Sequence, residues 1–356
     1  MIKSLEIQWW GCGVRDWRTD PTFAMCRALV DGADLASFAG GAFDVRAVTA
    51  SLQSRGHGGL LLDGVPWGNF PYGDDVRKAV HLLQTGQDLA DHATGMLGGL
   101  CANDSRAAVA LAVPFLIPLA TDAHHPYRAA ALGVLSSPAR ARHFGVASRD
   151  ELLLHRTDPR RHAPDDYDDY GIEVTGYPAG WSVAAARAAI TTETPTLLPL
   201  LNDSAPTIRI DAAYVLATAA DPDHTVRTGL ATRFATEHDA TVRAALLLAA
   251  AEATRAHPHQ PTVRWLRERW HDRTEAPEAR LAAAIGWLCL RDEPAPEDLH
   301  QTINTLATTE RVHTMDALPW MNAAAGSREP GLRHCIRRIL HPEEPEPSDD
   351  PWACSP

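Results

Sequence analysis

The sequence predicts an all-α fold, a solenoid of stacked antiparallel helix pairs with an atypical N-terminal cap and a long central loop. Hydrophobic residues make up 45% of the chain, mostly alanine and leucine, and aromatics only 6%. Few runs alternate apolar with polar residues as a half-buried strand requires. A turn followed by a helix recurs with arginines at Arg209, Arg243 and Arg280, at intervals of 34 and 37 residues, within the range of two-helix repeats. Residues 138–178 interrupt this pattern with a stretch rich in Pro, Asp, Arg, His and Tyr.

Residues 1–73 read as the cap, with Trp9, Trp10, Trp17 and several glycines. Residues 74–137 carry weak copies of the repeat at Asp75-Val76-Arg77, Asp104-Ser105-Arg106 and Pro126-Tyr127-Arg128. Pro114 and Pro118 should kink or end a helix there, because proline lacks the N–H and clashes with the carbonyl four residues back.

Residues 138–178 are expected to form a charged insertion loop; such a length inside an ordered body is uncommon and is usually functional or disordered. Its candidate partner-binding residues are Arg160, Arg161, Asp165, Asp166, Tyr167, Asp168, Asp169 and Tyr170.

The clearest repeats occupy 179–341. Leu197 to Asn202 reads as a short apolar helix, Asp203 and Ser204 as turn or cap acceptors, and Pro206 as a first-turn residue whose missing donor costs nothing. The same grammar returns at Asp221 to Arg227, at Asp239 to Arg243 and at Glu275 to Arg280. Each pair is too short to bury its own apolar face, so neighbours must stack, and small alanines let the axes approach. The arginine just inside each helix is positioned to form a ladder of contacts between adjacent turns. Residues 342–356 combine five prolines with Glu343, Glu344, Glu346, Asp349 and Asp350 and no base, which predicts a disordered acidic tail.

The net charge of −12 opposes binding to nucleic acid and to anionic membranes. The N-terminus lacks the basic and apolar regions of a signal peptide, and no apolar run reaches the roughly 20 residues that span a bilayer, so a cytoplasmic location is expected. Cys12, Cys26, Cys101, Cys289, Cys335 and Cys354 are dispersed without a Cys-x-x-Cys pair and read mostly as reduced core residues.

The punctuation quoted above resembles the HEAT-repeat superfamily, specifically bacterial HEAT-like proteins related to phycobilisome-lyase repeats. The stretch from Leu61 to Trp67 and on to Leu116 is similar to the front of an uncharacterised actinobacterial group of HEAT-repeat proteins. An actinobacterial type of genome also fits a chain whose only lysines are Lys3 and Lys78. For function the resemblance implies scaffolds, enzyme partners, lyase subunits or DNA glycosylases, because a superfold does not name a job.

Candidate chemistry is sparse. Gly180-Trp181-Ser182-Val183-Ala184 is a loose version of a nucleophile motif, yet no α/β sheet accompanies it, and Ser182 is better read as a helix N-cap. His124-His125 and His257-Pro258-His259 lack metal-ligand spacing and read as exposed turn histidines. Asp165, Asp166, Asp168 and Asp169 lack the glycine and closing glutamate of a calcium loop. Trp181, Trp265, Trp270, Trp287 and Trp320 are the tryptophans that could line a nucleic-acid surface, and packing explains them better. No catalytic, metal or cofactor residue is assigned. The expected function is a non-enzymatic protein-binding scaffold or adaptor, one form being an immunity-type binder, that engages a protein partner through its concave face, its central loop or both. The alternative is a HEAT-like enzyme of the DNA-glycosylase or lyase type.

Overall fold

The computed structural model describes residues 16–56, 60–86, 90–140, 173–291, 295–324 and 331–340. Among these residues the chain is all-helical, with no strand. Residues Arg160 to Tyr170, the acidic tail, Trp9, Trp10, Cys12 and Cys354 lie outside them.

The N-terminal segment is built from short pieces. Asp20 accepts from the Thr22 amide at a 3-10 turn that leads into α1 (Ala24–Val30), and Asp44 caps α2 (Val45–Gln53). Next come α3 (Gly73–Thr85), α4 (Ala90–Asn103), α5 (Arg106–Thr121) and α6 (Arg128–Leu135). Gly73 is obligatory at the start of α3, because a Cβ there would sit 2.0 Å from the Trp67 carbonyl oxygen. After the insertion follow α7 (Ala179–Thr192), two short turns through Asn202, α8 (Pro206–Leu216), α9 (Thr225–Thr236), α10 (Ala240–Ala256), α11 (Gln260–His271) and α12 (Pro277–Cys289). The C-terminal helices are α13 (Glu297–Leu306), α14 (Thr309–Met315), α15 (Pro319–Ala324) and α16 (Gly331–Leu340).

Helix α5 runs through Pro114 and Pro118, so the expected end of a helix does not occur there. Every residue from Arg106 to Ile117 is buried. A proline inside a helix costs about 3 kcal/mol, whereas burying each of Val113, Phe115, Leu116 and Ile117 contributes about 1.5–3 kcal/mol. Tertiary packing therefore wins over the local rule.

The two parts of the chain flanking the insertion form one core. Helix α7 packs on α2 and α5, and α8 packs on α6. Further along, α8 packs on α10, and α10 packs on α12. Small residues permit close crossing, since a Cβ on Gly286 of α12 would meet the Ala251 Cβ of α10 at 2.9 Å. The C-terminal α15 and α16 lie against α8 and α12 respectively. Burial is consequently complete along α10 and α12, where Val242, the run from Ala244 to Ala251, and Leu281 to Ile285 are all sequestered.

Two of the three recurring arginines, Arg209 and Arg243, form rungs of a ladder, and Arg128 adds another, whereas Arg280 donates to the Trp270 carbonyl instead. Arg128 of α6 pairs at 2.7 Å with Asp203 in the turn before α8. Arg209 of α8 pairs at 2.8 Å with Glu237 before α10, and Arg243 of α10 pairs at 2.6 Å with Glu275 before α12. These last two arginines also close turn carbonyls: Arg209 donates to those of Asp203 and Ser204, and Arg243 to those of Phe234 and Glu237. Each acid serves a second arginine, Arg233 on Glu237 and Arg269 on Glu275. The expected caps also occur. Asp239 accepts from the Thr241 and Val242 amides, Asp221 from those of Val226 and Arg227, and Pro206 and Pro277 open their helices.

The Arg209–Glu237 rung predicts two measurable effects. Removing one partner of a buried pair strands the other charge, so Arg209→Met should lower the unfolding free energy in urea by about 3 kcal/mol; a loss within experimental error would mean the rung is neutral. Backbone amides and two guanidinium groups hold the Glu237 carboxyl down at about 2 against a usual 4.5, despite its burial. Its contribution is therefore present above pH 4.5 and lost as pH falls through about 2. Glu237→Gln should flatten the acid limb of a stability profile.

Candidate functional site

A lone carboxylate sits in the C-terminal half of the alanine- and leucine-rich α10. Glu252 interrupts the alanine and leucine run of α10 and is 0% exposed. Burying a carboxylate costs several kcal/mol unless it is paired and hydrogen-bonded. Its partners come from distant parts of the chain. Arg140, near the start of the insertion, reaches both carboxylate oxygens through Nη2 at 2.8 and 2.9 Å. The Trp320 indole N–H of α15 donates to Oε2 at 2.7 Å.

Tyr214 of α8 completes this centre. Its carbonyl accepts from Arg140 at 2.9 Å, and the Arg140 guanidinium lies 3.4 Å from its ring centroid, a cation–π arrangement strengthened by desolvation. The Trp320 ring meets the Tyr214 ring edge-on at 4.7 Å. Arg187 of α7 donates from Nε to the Ala139 carbonyl at 2.8 Å. Burial pushes the Glu252 carboxyl above its usual range against the opposing charge of Arg140. Burial, reinforced by the Arg140 charge, lowers Arg187 to about 10.

The far side of the insertion is anchored by a second carboxylate. Glu173 accepts from the Ser182 hydroxyl and, at 3.4 Å, from the Ala107 amide at the start of α5. Ser182 is thus not the N-cap expected of it: α7 begins at Ala179 after Pro178, and Ser182 lies inside the helix, fully buried. The proline set the start of the helix one turn earlier than the serine suggested. Nearby, Tyr177 donates to the Phe43 carbonyl at 2.8 Å and accepts from the Val45 amide at 3.0 Å, which ties this stem to α2. Burial, then the Glu173 charge, pushes the Cys26 thiol up to about 12, and Cys101 is raised to about 12 chiefly by burial. These thiols are kept protonated and unreactive.

The remaining candidates serve packing. His124 is exposed as expected, whereas His125 and both His257 and His259 are half-buried. The His259 ring lies 4.5 Å from that of His224, tilted by 36°, and His224 takes a left-handed backbone at φ 61°. Arg227, paired with the buried Asp221, donates to the His257 carbonyl. Trp270, Trp287 and Trp320 are buried, Trp265 packs edge-on to Phe234, and Trp181 lies under the Arg46 guanidinium. They do not line one open surface. Among the described residues, no three His, Cys, Asp or Glu side chains are gathered to hold a metal ion, and no helix is long and apolar enough to cross a membrane.

Sequence reasoning missed Arg140, Arg187, Tyr214, Glu252 and Glu173, and read Trp320 as packing without its bond to Glu252. One signal was readable: a single acid within a wholly apolar helical run must be paired if that run is core. Its partners were not readable. Compared with known families and curated proteins, the chain matches no family model and no curated relative.

Desolvation raises the Glu173 carboxyl to about 7 from a usual 4.5, outweighing the Ser182 hydrogen bond and the Arg106 charge. Between those values the folded chain holds a proton that the unfolded chain has released. Its contribution is complete below 4.5 and is lost as pH rises through about 7. The urea midpoint should therefore drift down between about pH 5 and about pH 8, and Glu173→Gln should remove that drift. An unchanged drift in the variant would assign it to another group.

Proposed function

We propose that this protein is a HEAT-like α-solenoid acting as a non-enzymatic protein-binding scaffold or adaptor. The observation that carries the reading is the repeated rung, in which the arginine of one helix pair takes the acid in the turn before the next, at Arg128–Asp203, Arg209–Glu237 and Arg243–Glu275. Such nearest-neighbour coupling is what a quasi-one-dimensional stack needs to hold an extended binding surface in register.

Both stems of the insertion support a presenting role for it. Arg140 is gripped by Glu252 and Tyr214, and Glu173 by Ser182 and the start of α5. We assign partner contact to Arg160, Arg161, Asp165, Asp166, Tyr167, Asp168, Asp169 and Tyr170 on their chemistry. With a net charge of −12, the partner is a basic protein, steered by complementary charge, as in an immunity-type pair. Burial of the Cys26, Cys101, Cys289 and Cys335 thiols fits a reducing, cytoplasmic compartment. The competing reading is an enzyme of the DNA-glycosylase or lyase type; burial of Trp270, Trp287 and Trp320 takes three of the five tryptophans from its DNA-directed form.

Capture with the full-length protein at low salt should recover a basic partner in fixed stoichiometry. A variant with Asp165, Asp166, Asp168 and Asp169 all changed to Asn should lose that partner while melting like the wild type. Identical recoveries, or tight salt-sensitive DNA binding in a mobility-shift assay, would overturn the reading.

A further inference from the structure

The arginines around Glu252 are not fully used. Arg140 directs one nitrogen, Nη2, at three acceptors: both Glu252 oxygens and the Tyr214 carbonyl. Its Nη1 is buried with no hydrogen-bond partner. A guanidinium normally meets a carboxylate with two parallel N–H groups, and here the fork is turned so that one prong points elsewhere. Leaving a buried charged donor unmade is costly, and such a group in a native structure calls for a water or an ion to complete it.

A second cation favours an ion. Arg187 spends Nε on the Ala139 carbonyl, next to Arg140 in the chain, and its terminal nitrogens have no partner among the described residues. The two guanidinium groups feel each other's charge, and Glu252 is the acid that opposes them both. Asp211, one helical turn before Tyr214, makes no ion pair among the described residues. Two cations against one buried carboxylate leave one positive charge uncompensated where water is scarce. Water would fill the vacant acceptor position without neutralising that charge. A small oxyanion does both.

We propose that Arg140 and Arg187 form a binding site for a small oxyanion, a carboxylate or phosphate group, beside Tyr214 and Trp320. Arg140 supplies its vacant Nη1, and half-buried Arg187 supplies a terminal N–H pair from the solvent side. Glu252 holds Arg140 in place and does not touch the ligand. The assignment is independent of the partner-binding reading, since it rests on other residues and needs no second protein.

The test is a titration of the full chain with inorganic phosphate and, separately, with acetate, at ionic strength matched with chloride, followed by thermal melting and tryptophan fluorescence. A saturable rise in melting temperature is expected with at least one anion, and which one saturates distinguishes a phosphate ligand from a carboxylate. The emission change should vanish in Trp320→Phe, because that indole is bonded to Glu252. Arg187→Met should weaken binding by about tenfold or more, equivalent to about 1.4 kcal/mol. Arg187→Lys, which keeps the charge and loses the fork, serves if the methionine variant melts too low, and should weaken binding severalfold. No saturable response to either anion, or equal affinity in both Arg187 variants, would overturn the proposal.

Discussion

Glu252 and Arg140 make the contact on which the assembly of this molecule turns. A carboxylate buried in α10 is tolerable only while Arg140 and Trp320 hold it, and removing one partner of such a pair costs about 3–5 kcal/mol. Through it α10 is joined to the stem of the insertion, to α8 by way of Tyr214, and to the C-terminal α15. The need for polar specification follows from composition. Helices faced mostly with alanine pack closely but present low ridges, so apolar contact alone sets their register weakly. Fixed hydrogen bonds at Glu252 and at the rungs supply the missing register.

The two kinds of ionic contact solve desolvation differently. Glu237 and Glu275 stand at turns, where backbone amides and two arginines converge on each carboxylate. At Glu237 the donors outweigh burial, and it stays ionised to about pH 2. Glu252 is enclosed by helices that have already used their own amides, and of backbone amides Glu173 draws only on those of the first turn of α5. Burial outweighs the few donors that reach them, and both carboxyls rise. The Arg209–Glu237 rung therefore holds through ordinary acidity, whereas the stems of the insertion rest on groups whose protonation is poised higher.

Local chemistry was legible in the sequence, and long-range pairing was not. Asp239 as a cap, Pro206 and Pro277 at helix starts, and the recurrence of Arg209 and Arg243 were all readable, because each depends on neighbours within a few residues. The acids that complete the rungs were visible as turn residues but not as partners. Glu252 bonds to Arg140 across 112 residues and to Trp320 across 68, separations that no local pattern encodes. Ser182 misled for a related reason: its partner Glu173 precedes the helix by several residues, so a serine near a helix start looked like a cap. At Pro114 and Pro118 the helix does not end, because burial on every side of α5 overrides a rule that holds for exposed helices.

The C-terminal helices bear on where a partner could bind. In an open stack of helix pairs the central helices keep one face free, and that face was a leading candidate for contact. Here Trp320 of α15 inserts against Tyr214 and Glu252, and α16 lies on α12. Gly331 permits this fit, because a Cβ on it would sit 1.8 Å from the Met321 carbonyl oxygen. The apolar faces of α8, α10 and α12 are thus covered by the chain itself. Exposing them would strand Glu252 with one partner fewer, a cost that disfavours displacement of α15 by a partner. On the proposed scaffold reading, binding then falls to the outer charged faces and to the insertion, whose stems are tied to the core at Arg140 and Glu173.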